Sequence, residues 1–581
     1  MLKEFKTLIP MVKKYKYFYI VGLLCLILVD AGELYIPRLM KRVIDYISTD
    51  SFSLEFVGKT VGLIMIIALG VAVARFGWRF FIIGASRRIE NDLRYKLFSH
   101  LLTLSSSYFG KTKTGDLMAR ATNDMRAIRM ASGMAFVAFV DATFLTIAIL
   151  VIIFTAYPKL AAISVIPLPV ITLLVLFTGK LIRKYFKAVQ EGFSRLTENV
   201  QETLSGIRVI KSFAREDYFQ DNFFKTNEEY KNSNMRLVRL WGFFFPLINF
   251  ISGISIMLLF TFGGIAVIEK SITPGDFVAL ISYLTMLTWP VMGMGFTVNI
   301  LQRGAASLTR INEILNQEAE IRSPETPLDF IPGGDIRIKN LNFSYPGSEN
   351  SKNEDSILED IDLLIPKGST LGILGRTGSG KSTFIRLLPR LLDPPKGTVF
   401  IGDTDIRDFK LSELRSSIGF VPQDTFLFSS TIKENIKFGK SDAENSEILE
   451  MVDLSTISKD LNDFPEGWDT EVGERGISLS GGQKQRIAIS RAMIIDPSIL
   501  ILDDAFSSVD TATEEKILSE FLKERQGKTN ILVSHRVSTL FHADTIIVID
   551  KGRIIQKGTH KELYAVDGFY REIAILQEAE A

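Results

Sequence analysis

Two adjacent carboxylates, Asp503 and Asp504, follow the aliphatic run 499–502 in the stretch ILILDDAFSSVD. A buried strand that ends in acids is typical of metal or phosphate chemistry at the carboxyl edge of a parallel sheet. One carboxylate there can hold Mg²⁺, and a second can act as a base on a water molecule. The pair therefore predicts a phosphate site with two acidic roles.

A glycine-rich phosphate-binding motif lies upstream, where residues 375–382 fit the pattern G-x-x-x-x-G-K-[ST] between a β-rich run and a helical pattern. The glycines let backbone N–H groups surround phosphate oxygens, and the following helix adds its positive end. We expect Lys381 to reach the β- and γ-phosphates and Ser382 to ligate Mg²⁺. The predicted nucleotide-binding residues of this motif are Gly375, Arg376, Thr377, Gly378, Ser379, Gly380, Lys381, Ser382 and Thr383.

The elements that position these residues divide the chain into two unlike parts. Residues 1–310 contain long apolar runs, whereas 335–581 has the pattern of a water-soluble α/β protein. A mean hydropathy of +0.20 with 23% charged residues fits a membrane part joined to a soluble part. The net charge of +1 gives no indication of nucleic-acid binding, and the single cysteine, Cys25, excludes an intramolecular disulfide.

Six segments are apolar enough to cross a bilayer. They are predicted near 18–40, 58–83, 133–156, 158–179, 243–268 and 274–301. The connections 84–131 and 180–242 are long and rich in Lys and Arg, whereas the alternate connections are short and carry few basic residues. The positive-inside rule therefore predicts that both termini and both long connections are cytoplasmic.

The two long connections have apolar residues at helical spacing between charges, which predicts helical stalks that extend beyond the membrane. Residues 1–320 are predicted to form the transmembrane domain and 335–581 the nucleotide-binding domain. The Pro- and Gly-containing segment 321–334 reads as a linker. The polar insert GSENSKNEDS at 347–356 is expected to be an exposed loop.

Further motifs of the soluble part resemble those of ATP-binding-cassette (ABC) proteins. LSGGQKQR at 479–486 resembles their signature sequence, VPQDTFLF their Q-loop with Gln423, ILILDD their Walker B strand and SSVD their D-loop. ILVSH ends in the position of the switch histidine, His535, and Tyr345 ends FSY, where the family stacks an aromatic ring on adenine. Their order matches the family throughout, so chance is a poor explanation.

The resemblance extends to the membrane part and implies the organisation of an ABC exporter half-transporter. The implied fold is an α-helical membrane domain with six transmembrane helices and long cytoplasmic extensions, fused to an α/β P-loop NTPase domain. TGDLMARATND, ETLSGIRVIKSF and TEVGERG carry this part of the match, and the stalk tips around 115–116 and 206–207 would be coupling helices. The implied cofactors are ATP and Mg²⁺, and the implied location is the inner membrane of a bacterium.

The family also implies roles for the site residues. Asp503 would hold the Mg²⁺ shell with Ser382, and Gln423 would sense the metal and the γ-phosphate. His535, the switch histidine, would act in catalysis together with Asp504 and Gln423. In this family the signature residues close over ATP held by a partner chain, so two chains enclose two nucleotides; the matching residues here are Ser480, Gly481, Gly482 and Gln483.

Asp504 is a departure from the family pattern, which usually has Glu at this position. The side chain is shorter by one methylene, which moves the carboxylate by about 1–1.5 Å, and such a displacement can slow a reaction about a hundredfold. The signature is intact, as in the chain of a heterodimeric exporter that holds ATP in a degenerate site and completes its partner's working site. The alternative is a tolerated change with modest slowing, as in a homodimeric exporter.

Charged residues in the predicted spans are functional candidates because burying them in a membrane is unfavourable. They are Asp30, Glu33, Arg38, Arg75, Arg79 and Asp141. Two interpretations are open: contact with a cationic substrate or an extracellular gate, and pairing with arginines that holds helices together. Aromatic and Met residues crowd the last two spans, which suits either a hydrophobic ligand or lipid contact; they are Trp241, Phe243, Phe244, Phe245, Phe250, Tyr283, Met286, Trp289, Met292, Met294 and Phe296.

The leading hypothesis is ATP-driven efflux of hydrophobic or amphipathic small molecules, drugs or lipids, by a heterodimer. An ATP-gated channel or regulator on the same fold is the alternative of a different class, and an importer built on this fold is a third. The direction and uphill character of flux in vesicles would distinguish them. The predicted spans exclude a soluble ABC protein that acts on nucleic acid or ribosomes.

Overall fold

The structure is a computed structural model that describes residues 4–48, 53–328, 333–345, 356–461, 463–473 and 479–580. Within these ranges the side chains at 172, 175, 176, 291, 292, 294 and 580 are not described, which leaves out Met292 and Met294. Most of the predicted insert 347–356, part of the linker 321–334 and part of TEVGERG lie outside the described residues.

The chain divides into two compact units, and each is considered by itself. Unit 1 contains 1–102 and 113–317, and unit 2 contains 103–112 and 318–581. Unit 2 thus includes Thr103–Thr112, a segment that the sequence-based boundary assigned to the membrane domain.

The part of the chain before the first strand is helical. After a 3₁₀ turn at Glu4–Leu8, the helices are α1 Ile9–Lys14, α2 Lys16–Ile47, α3 Leu54–Trp78, α4 Gly84–Leu101, α5 Ser106–Lys111, α6 Thr114–Ala119, α7 Met125–Ser132, α8 Met134–Ala156, α9 Pro158–Val165, α10 Pro167–Ser205, α11 Ile207–Ser212, α12 Glu216–Leu258, α13 Gly264–Ile268 and α14 Pro274–Leu315. Wider π-helical turns join neighbouring helices at Arg79–Ile83, Arg120–Asp124 and Leu259–Gly263.

Among the described residues, five continuous helical stretches are long and apolar enough to cross a membrane. They are Lys16–Ile47, Leu54–Leu101, Thr114–Ala156, Glu216–Ile268 and Pro274–Leu315. The predicted span 158–179 falls on α9 and the first part of α10, which continues to Ser205. Pro167 follows Ile166 at this break, and a proline cannot donate the backbone hydrogen bond that would continue α9.

Buried aliphatic residues hold unit 1 together. Leu145, Ile149, Ile171, Ile248 and Leu280 belong to one apolar cluster shared by α8, α10, α12 and α14. Some aromatic residues of the last two predicted spans are part of this interior, since Phe244 and Tyr283 are buried, whereas Phe243 and Trp289 are exposed in the single chain.

Unit 2 contains two sheets. Its strands are β1 Ile336–Phe343, β2 Leu358–Ile365, β3 Thr370–Gly375, β4 Val399–Ile401, β5 Thr404–Asp405, β6 Ile418–Val421, β7 Ile499–Asp503, β8 Thr529–Val533, β9 Thr545–Asp550 and β10 Arg553–Gly558. The four-stranded antiparallel sheet has the order β2-β1-β4-β5. The six-stranded sheet has the order β10-β9-β3-β8-β7-β6, and only its β10–β9 pair is antiparallel.

Helices cover the larger sheet and form a smaller lobe. They are α15 Lys381–Leu387, α16 Leu411–Ser416, α17 Ile432–Lys437, α18 Asn445–Leu454, α19 Ser458–Leu461, α20 Gly481–Met493, α21 Thr511–Glu524, α22 Val537–Leu540, α23 His560–Ala565 and α24 Phe569–Glu580. One apolar core lies between the two sheets, and a second lies under α20, α21 and α24 on the other face. The central strands β3, β7 and β8 are buried along their whole length, as expected for parallel strands covered on both faces.

The short helix α5 is the part of the first stalk that belongs to unit 2. Ser106 Oγ donates to the Leu391 carbonyl oxygen at 2.7 Å, and the Ile321 N–H donates to Ser105 Oγ at 3.2 Å. Residues 115–116, predicted to form a coupling helix, lie in α6 of unit 1. In the second stalk, Gly206 lies between the end of α10 at Ser205 and the start of α11 at Ile207, all in unit 1.

Candidate nucleotide site

The parallel sheet gathers the predicted site residues along one edge. Asp503 at the end of β7 is in register with Val533 at the end of β8, and Leu502 is in register with Val421 at the end of β6. On the other side, Ile373 of β3 is also in register with Val533. The chain therefore leaves all four strands at the same carboxyl edge, where the phosphate loop, the Q-loop, the acid pair and the switch histidine begin.

The phosphate loop 375–380 is shaped by its glycines. A Cβ on Gly375 would collide with the Ile549 carbonyl oxygen. Gly378 and Gly380 have φ of +80° and +103°, which side-chain-bearing residues rarely adopt. Arg376 and Thr377 are exposed, and the buried Ser379 Oγ has no hydrogen-bond partner in the described part of the chain. The loop is thus open, and its Ser379 hydroxyl is available to hydrogen-bond a ligand.

Lys381 is folded back onto the phosphate loop. Its ammonium donates to the carbonyl oxygens of Gly375 at 2.7 Å and Arg376 at 2.9 Å. Burial lowers the pKa of Lys381, an effect that the nearby Asp504 and Asp503 carboxylates oppose. The ammonium is therefore held at the loop, where an incoming phosphate oxygen can replace the two carbonyl partners.

Asp503 and Ser382 form a second polar group that has a hydrogen-bond acceptor without a partner. Ser382 Oγ lies 3.4 Å from one Asp503 oxygen, and the other Asp503 oxygen is buried without a partner among the described residues. Burial raises the pKa of Asp503, whereas the Ser382 hydrogen bond acts in the opposite direction. A hydroxyl beside a carboxylate with a spare oxygen is a suitable donor set for Mg²⁺, so the residues fit the metal that the phosphate chemistry requires.

Asp504 is held by the two residues predicted to act with it. One oxygen lies 2.8 Å from His535 Nδ1, and the other accepts from Gln423 Nε2 at 3.4 Å. Its backbone has a φ of +48°, and its N–H donates to the Val533 carbonyl oxygen at 2.9 Å. Asp504 is nearly buried, whereas His535 and Gln423 are exposed. Both carboxylate oxygens therefore have protein partners.

The predicted adenine-stacking residue lies beside the phosphate loop helix. The Tyr345 hydroxyl is 3.2 Å from Thr383 Oγ1, and the Tyr345 ring packs edge-on against Phe343. Tyr345 remains partly exposed, which leaves ring surface available to a base.

The signature residues begin a separate helix, α20. Ser480 and Gln483 form a reciprocal cap: Ser480 Oγ accepts from the Gln483 N–H at 3.3 Å, and the Ser480 N–H donates to Gln483 Oε1 at 3.0 Å. Gln483 also donates to Asp460 at 3.1 Å. Gly481 and Gly482 pack closely against Ser508 of the D-loop, where a Cβ on Gly482 would lie 2.8 Å from the Ser508 carbonyl oxygen.

Gln485 is a connecting residue that the sequence analysis missed. It donates to Ser507 Oγ at 2.8 Å and accepts from the Ser508 N–H at 2.9 Å, so it ties α20 to the D-loop. Only 4% of its surface is exposed. The available signal was the second glutamine of GGQKQR, which lies one turn after Gly481 and Gly482 on the same helix.

The charged residues of the predicted spans are distributed among several contacts in unit 1. Glu33 pairs with Arg75, and the Arg79 guanidinium lies 5.5 Å from the centre of the Trp78 ring. Asp30 is buried, and neither of its carboxylate oxygens has a hydrogen-bond partner among the described residues. The pairing interpretation therefore accounts for Glu33 and Arg75.

Comparison with known families matches both parts of the chain. Residues 19–291 match the ABC transporter transmembrane region, and 358–507 match the ABC transporter ATP-binding domain. The chain is 37% identical over 561 residues to the probable multidrug resistance ABC transporter ATP-binding/permease protein YheI of Bacillus subtilis, with 96% of this chain and 95% of that protein covered.

The chain is an ABC half-transporter of the exporter type.

Other relatives of this half-transporter cover it equally well. The multidrug resistance-like ATP-binding protein MdlA of Escherichia coli is 34% identical over 564 residues, covering 97% of this chain and 95% of that protein. The ATP-dependent lipid A-core flippase of Syntrophus aciditrophicus is 31% identical over 576 residues, covering 99% and 94%. A bacterial Atm1-family ABC exporter with ATP bound has the same fold, with a TM-score of 0.77, 24% identity and coverage of 97% and 98%.

Membership of the family confirms the predicted fold class, a helical transmembrane domain fused to an ABC-type P-loop NTPase domain in a multi-pass membrane protein. It also confirms that the half-transporter is an ATPase whose ATP hydrolysis is coupled to transport.

Proposed function

We propose that this half-transporter is the degenerate-site chain of a heterodimeric exporter that expels hydrophobic or amphipathic small molecules, drugs or lipids. The multidrug names of YheI and MdlA and the lipid A-core flippase support this substrate class. We place the exporter in a bacterial inner membrane with both termini cytoplasmic, on the strength of the basic long connections. We retain 1–320, 321–334 and 335–581 as its membrane domain, linker and nucleotide-binding domain.

In this proposal, the phosphate loop and Tyr345 would hold ATP, and Ser382, Asp503 and Gln423 would hold Mg²⁺. The metal neutralises phosphate charge when it is bound. Lys381 exchanges its two loop carbonyls for phosphate oxygens, and Asp504, assisted by His535 and Gln423, positions water at the γ-phosphate. The signature residues 480–483 serve the partner's nucleotide.

Asp504 is the observation that carries the heterodimer. Its carboxylate stops one methylene short of the reach of the usual Glu, and both of its oxygens have protein partners in His535 and Gln423. A misplacement of about 1 Å can slow a reaction about a hundredfold. ATP is therefore expected to persist in this site, while the intact signature supports turnover in a partner that supplies Glu.

The direct test compares the purified chain alone with the chain co-expressed with a half-transporter that has Glu after its Walker B aspartate. We expect the lone chain to bind Mg²⁺–ATP but hydrolyse it at about one hundredth of the pair's rate. Vigorous hydrolysis and transport by the lone chain in liposomes would instead favour the homodimeric exporter. ATP-dependent ion conductance without uphill export would favour the channel.

A further inference from the structure

A cavity of about 280 Å³ lies in unit 1 between α10, α12 and α14, within the predicted spans. The described residues that line it and carry a hydroxyl or amide group are Asn249, Ser252, Ser255, Thr285 and Thr288. Polar groups are unfavourable in a membrane interior, so several of them around one cavity indicate a function.

Two of these hydroxyl groups are available to a ligand. Ser255 is 2% exposed, and the Oγ atoms of Ser252 and Ser255 have no hydrogen-bond partner among the described residues. By contrast, Ser282 Oγ on α14 donates to the Val278 carbonyl oxygen at 2.9 Å. Leaving a buried hydroxyl unpaired is unfavourable, and a turn about χ1 can direct it to a polar group in the cavity.

The cavity provides no charge to pair with a ligand. Its described lining contains no Asp, Glu, Lys, Arg or His. Glu33 and Arg75, which lie in other predicted spans, pair with each other. A charged ligand group would therefore be buried here without a counter-ion, which is far less favourable than burying a neutral polar group that is hydrogen-bonded.

The rest of the lining suits an apolar tail. Leu168 and Leu284 belong to the apolar cluster of unit 1 and form one side of the cavity. Asn249 and Gly253 are exposed in the single chain, so the polar side is open. Phe245, four residues before Asn249 on the same face of α12, is also exposed. An amphipathic molecule can therefore place its polar group in the cavity and its tail against these apolar side chains.

We propose that Asn249, Ser252, Ser255 and Thr288 form a binding subsite for the uncharged polar group of an amphipathic molecule that this half-transporter carries. A hydroxyl, amide or ester group fits, because amide and hydroxyl side chains both donate and accept hydrogen bonds. The inference rests on the proposed export of amphiphiles and narrows their class to neutral molecules with a hydrogen-bonding head group.

Three photoreactive lipids with the same diazirine-bearing alkyl chain test this selectivity. One has a glycerol ester head group, one a trimethylammonium and one a sulfonate. The full-length chain in phosphatidylcholine vesicles would be irradiated with each lipid, without nucleotide, and its peptides analysed by mass spectrometry. We expect the glycerol ester to label 249–256 and 284–288, and the two charged lipids to label these segments at least about tenfold less.

Two results would overturn the subsite. One is labelling of these segments by trimethylammonium or sulfonate lipid that equals or exceeds labelling by the glycerol ester. The other is labelling by the glycerol ester that is confined to other helices, or that excess unlabelled monoacylglycerol does not reduce.

The double variant Ser252→Ala and Ser255→Ala tests the two unpaired hydroxyls. We expect the concentration of monoacylglycerol that halves the labelling to rise about tenfold. The unfolding temperature should not fall, because the lost hydroxyls have no described partner. Ser282→Ala, whose hydroxyl already bonds to a backbone carbonyl, is the matched control and should leave the half-competing concentration unchanged.

An unchanged half-competing concentration in the double variant would contradict the role of the two hydroxyls, and the comparison of head groups on the native chain remains decisive if the variant does not fold. Uphill export of the glycerol ester lipid by the co-expressed pair tests the proposed function separately. Export with labelling confined to other helices would overturn the subsite alone, whereas specific labelling without export would overturn the exporter and leave the binding site.

Discussion

Two surfaces of the nucleotide unit, the phosphate-loop side and the signature side, differ in how many of their polar groups already have hydrogen-bond partners. On the phosphate-loop side, Ser379 Oγ and one Asp503 oxygen are buried without partners among the described residues, and Lys381 occupies its own loop carbonyls. On the signature side, Ser480 and Gln483 satisfy each other. In our proposal, the first surface receives phosphate and metal, and the second, whose polar groups are already paired, closes over a nucleotide held by another chain.

The largest effect is expected from Lys381→Ala. Loss of a charge-assisted hydrogen bond of about 1.5–3 kcal/mol should weaken ATP binding by the lone chain about tenfold to a hundredfold. Binding of a fluorescent ATP analogue measures this, with the exposed Lys367→Ala as the matched control. An unchanged affinity would break the comparison, because it would mean that Lys381 keeps its loop contacts when nucleotide binds.

Ser480→Ala tests the other surface. It removes an oxygen that caps α20 and, in our proposal, contacts the partner's nucleotide. We expect turnover by the co-expressed pair to fall about tenfold, the equivalent of about 1.4 kcal/mol, while ATP affinity of the lone chain is unchanged. Ser519→Ala, on an exposed surface of α21, is the control. A loss of lone-chain affinity with normal turnover by the pair would show that the two surfaces had been assigned the wrong way round.

Gln485→Ala should affect the rigidity of the signature side. It removes the two hydrogen bonds that the buried Gln485 side chain makes to Ser507 and Ser508, each of which contributes about 0.5–1.5 kcal/mol. We expect a lower unfolding temperature in calorimetry and a smaller decrease in turnover than for Ser480→Ala. Gln526→Ala, which is exposed, should change neither. If Gln485→Ala and Gln526→Ala had the same unfolding temperature and turnover, Gln485 would have no role in stabilising the signature side.

The smallest effect is expected in the pH dependence of ATP binding, which should differ between the two surfaces. Burial raises the pKa of Asp503, so Mg²⁺-dependent ATP binding should be lost as pH falls through a value above the ordinary carboxyl pKa of 3.8. Burial lowers the pKa of Lys381, so binding should also decline as pH rises through a value below the ordinary 10.5. Ser480 and Gln483 have no titratable group, and the Ser480→Ala effect should not vary with pH.

Asp503→Asn is the control for the acid side of that profile. The variant should bind less Mg²⁺–ATP and lose the acid-side decline. Retention of the same decline would assign it to another group.

Local sequence patterns were sufficient to predict the parts of the site that are formed by one segment of the chain. The phosphate loop could be predicted because its glycine spacing dictates its backbone, and the strand before Asp503 because it is continuously aliphatic. The family pattern predicted that His535 and Asp504 are both catalytic residues but not that they are in contact. The parallel register of β7 and β8 brings them together. The roles of the site residues in binding and catalysis stay predictions.

Features that depend on contacts between distant segments could not be predicted in this way. The short helix α5 was missed because its place in unit 2 depends on bonds from Ser106 to Leu391 and from Ile321 to Ser105, which helical periodicity does not encode. The break before Pro167 was visible in the sequence but hidden by the continuous hydrophobicity around it.

The most direct measurement of the central claim is single-turnover ATP hydrolysis by Asp504→Glu in a pair whose partner site has been inactivated by Glu→Gln. The measured hydrolysis then comes only from this chain's ATP site, and Asp504→Asn gives the baseline rate. The account predicts that native Asp504 is close to this baseline and that Asp504→Glu hydrolyses ATP about a hundredfold faster. A native rate equal to that of Asp504→Glu would contradict it.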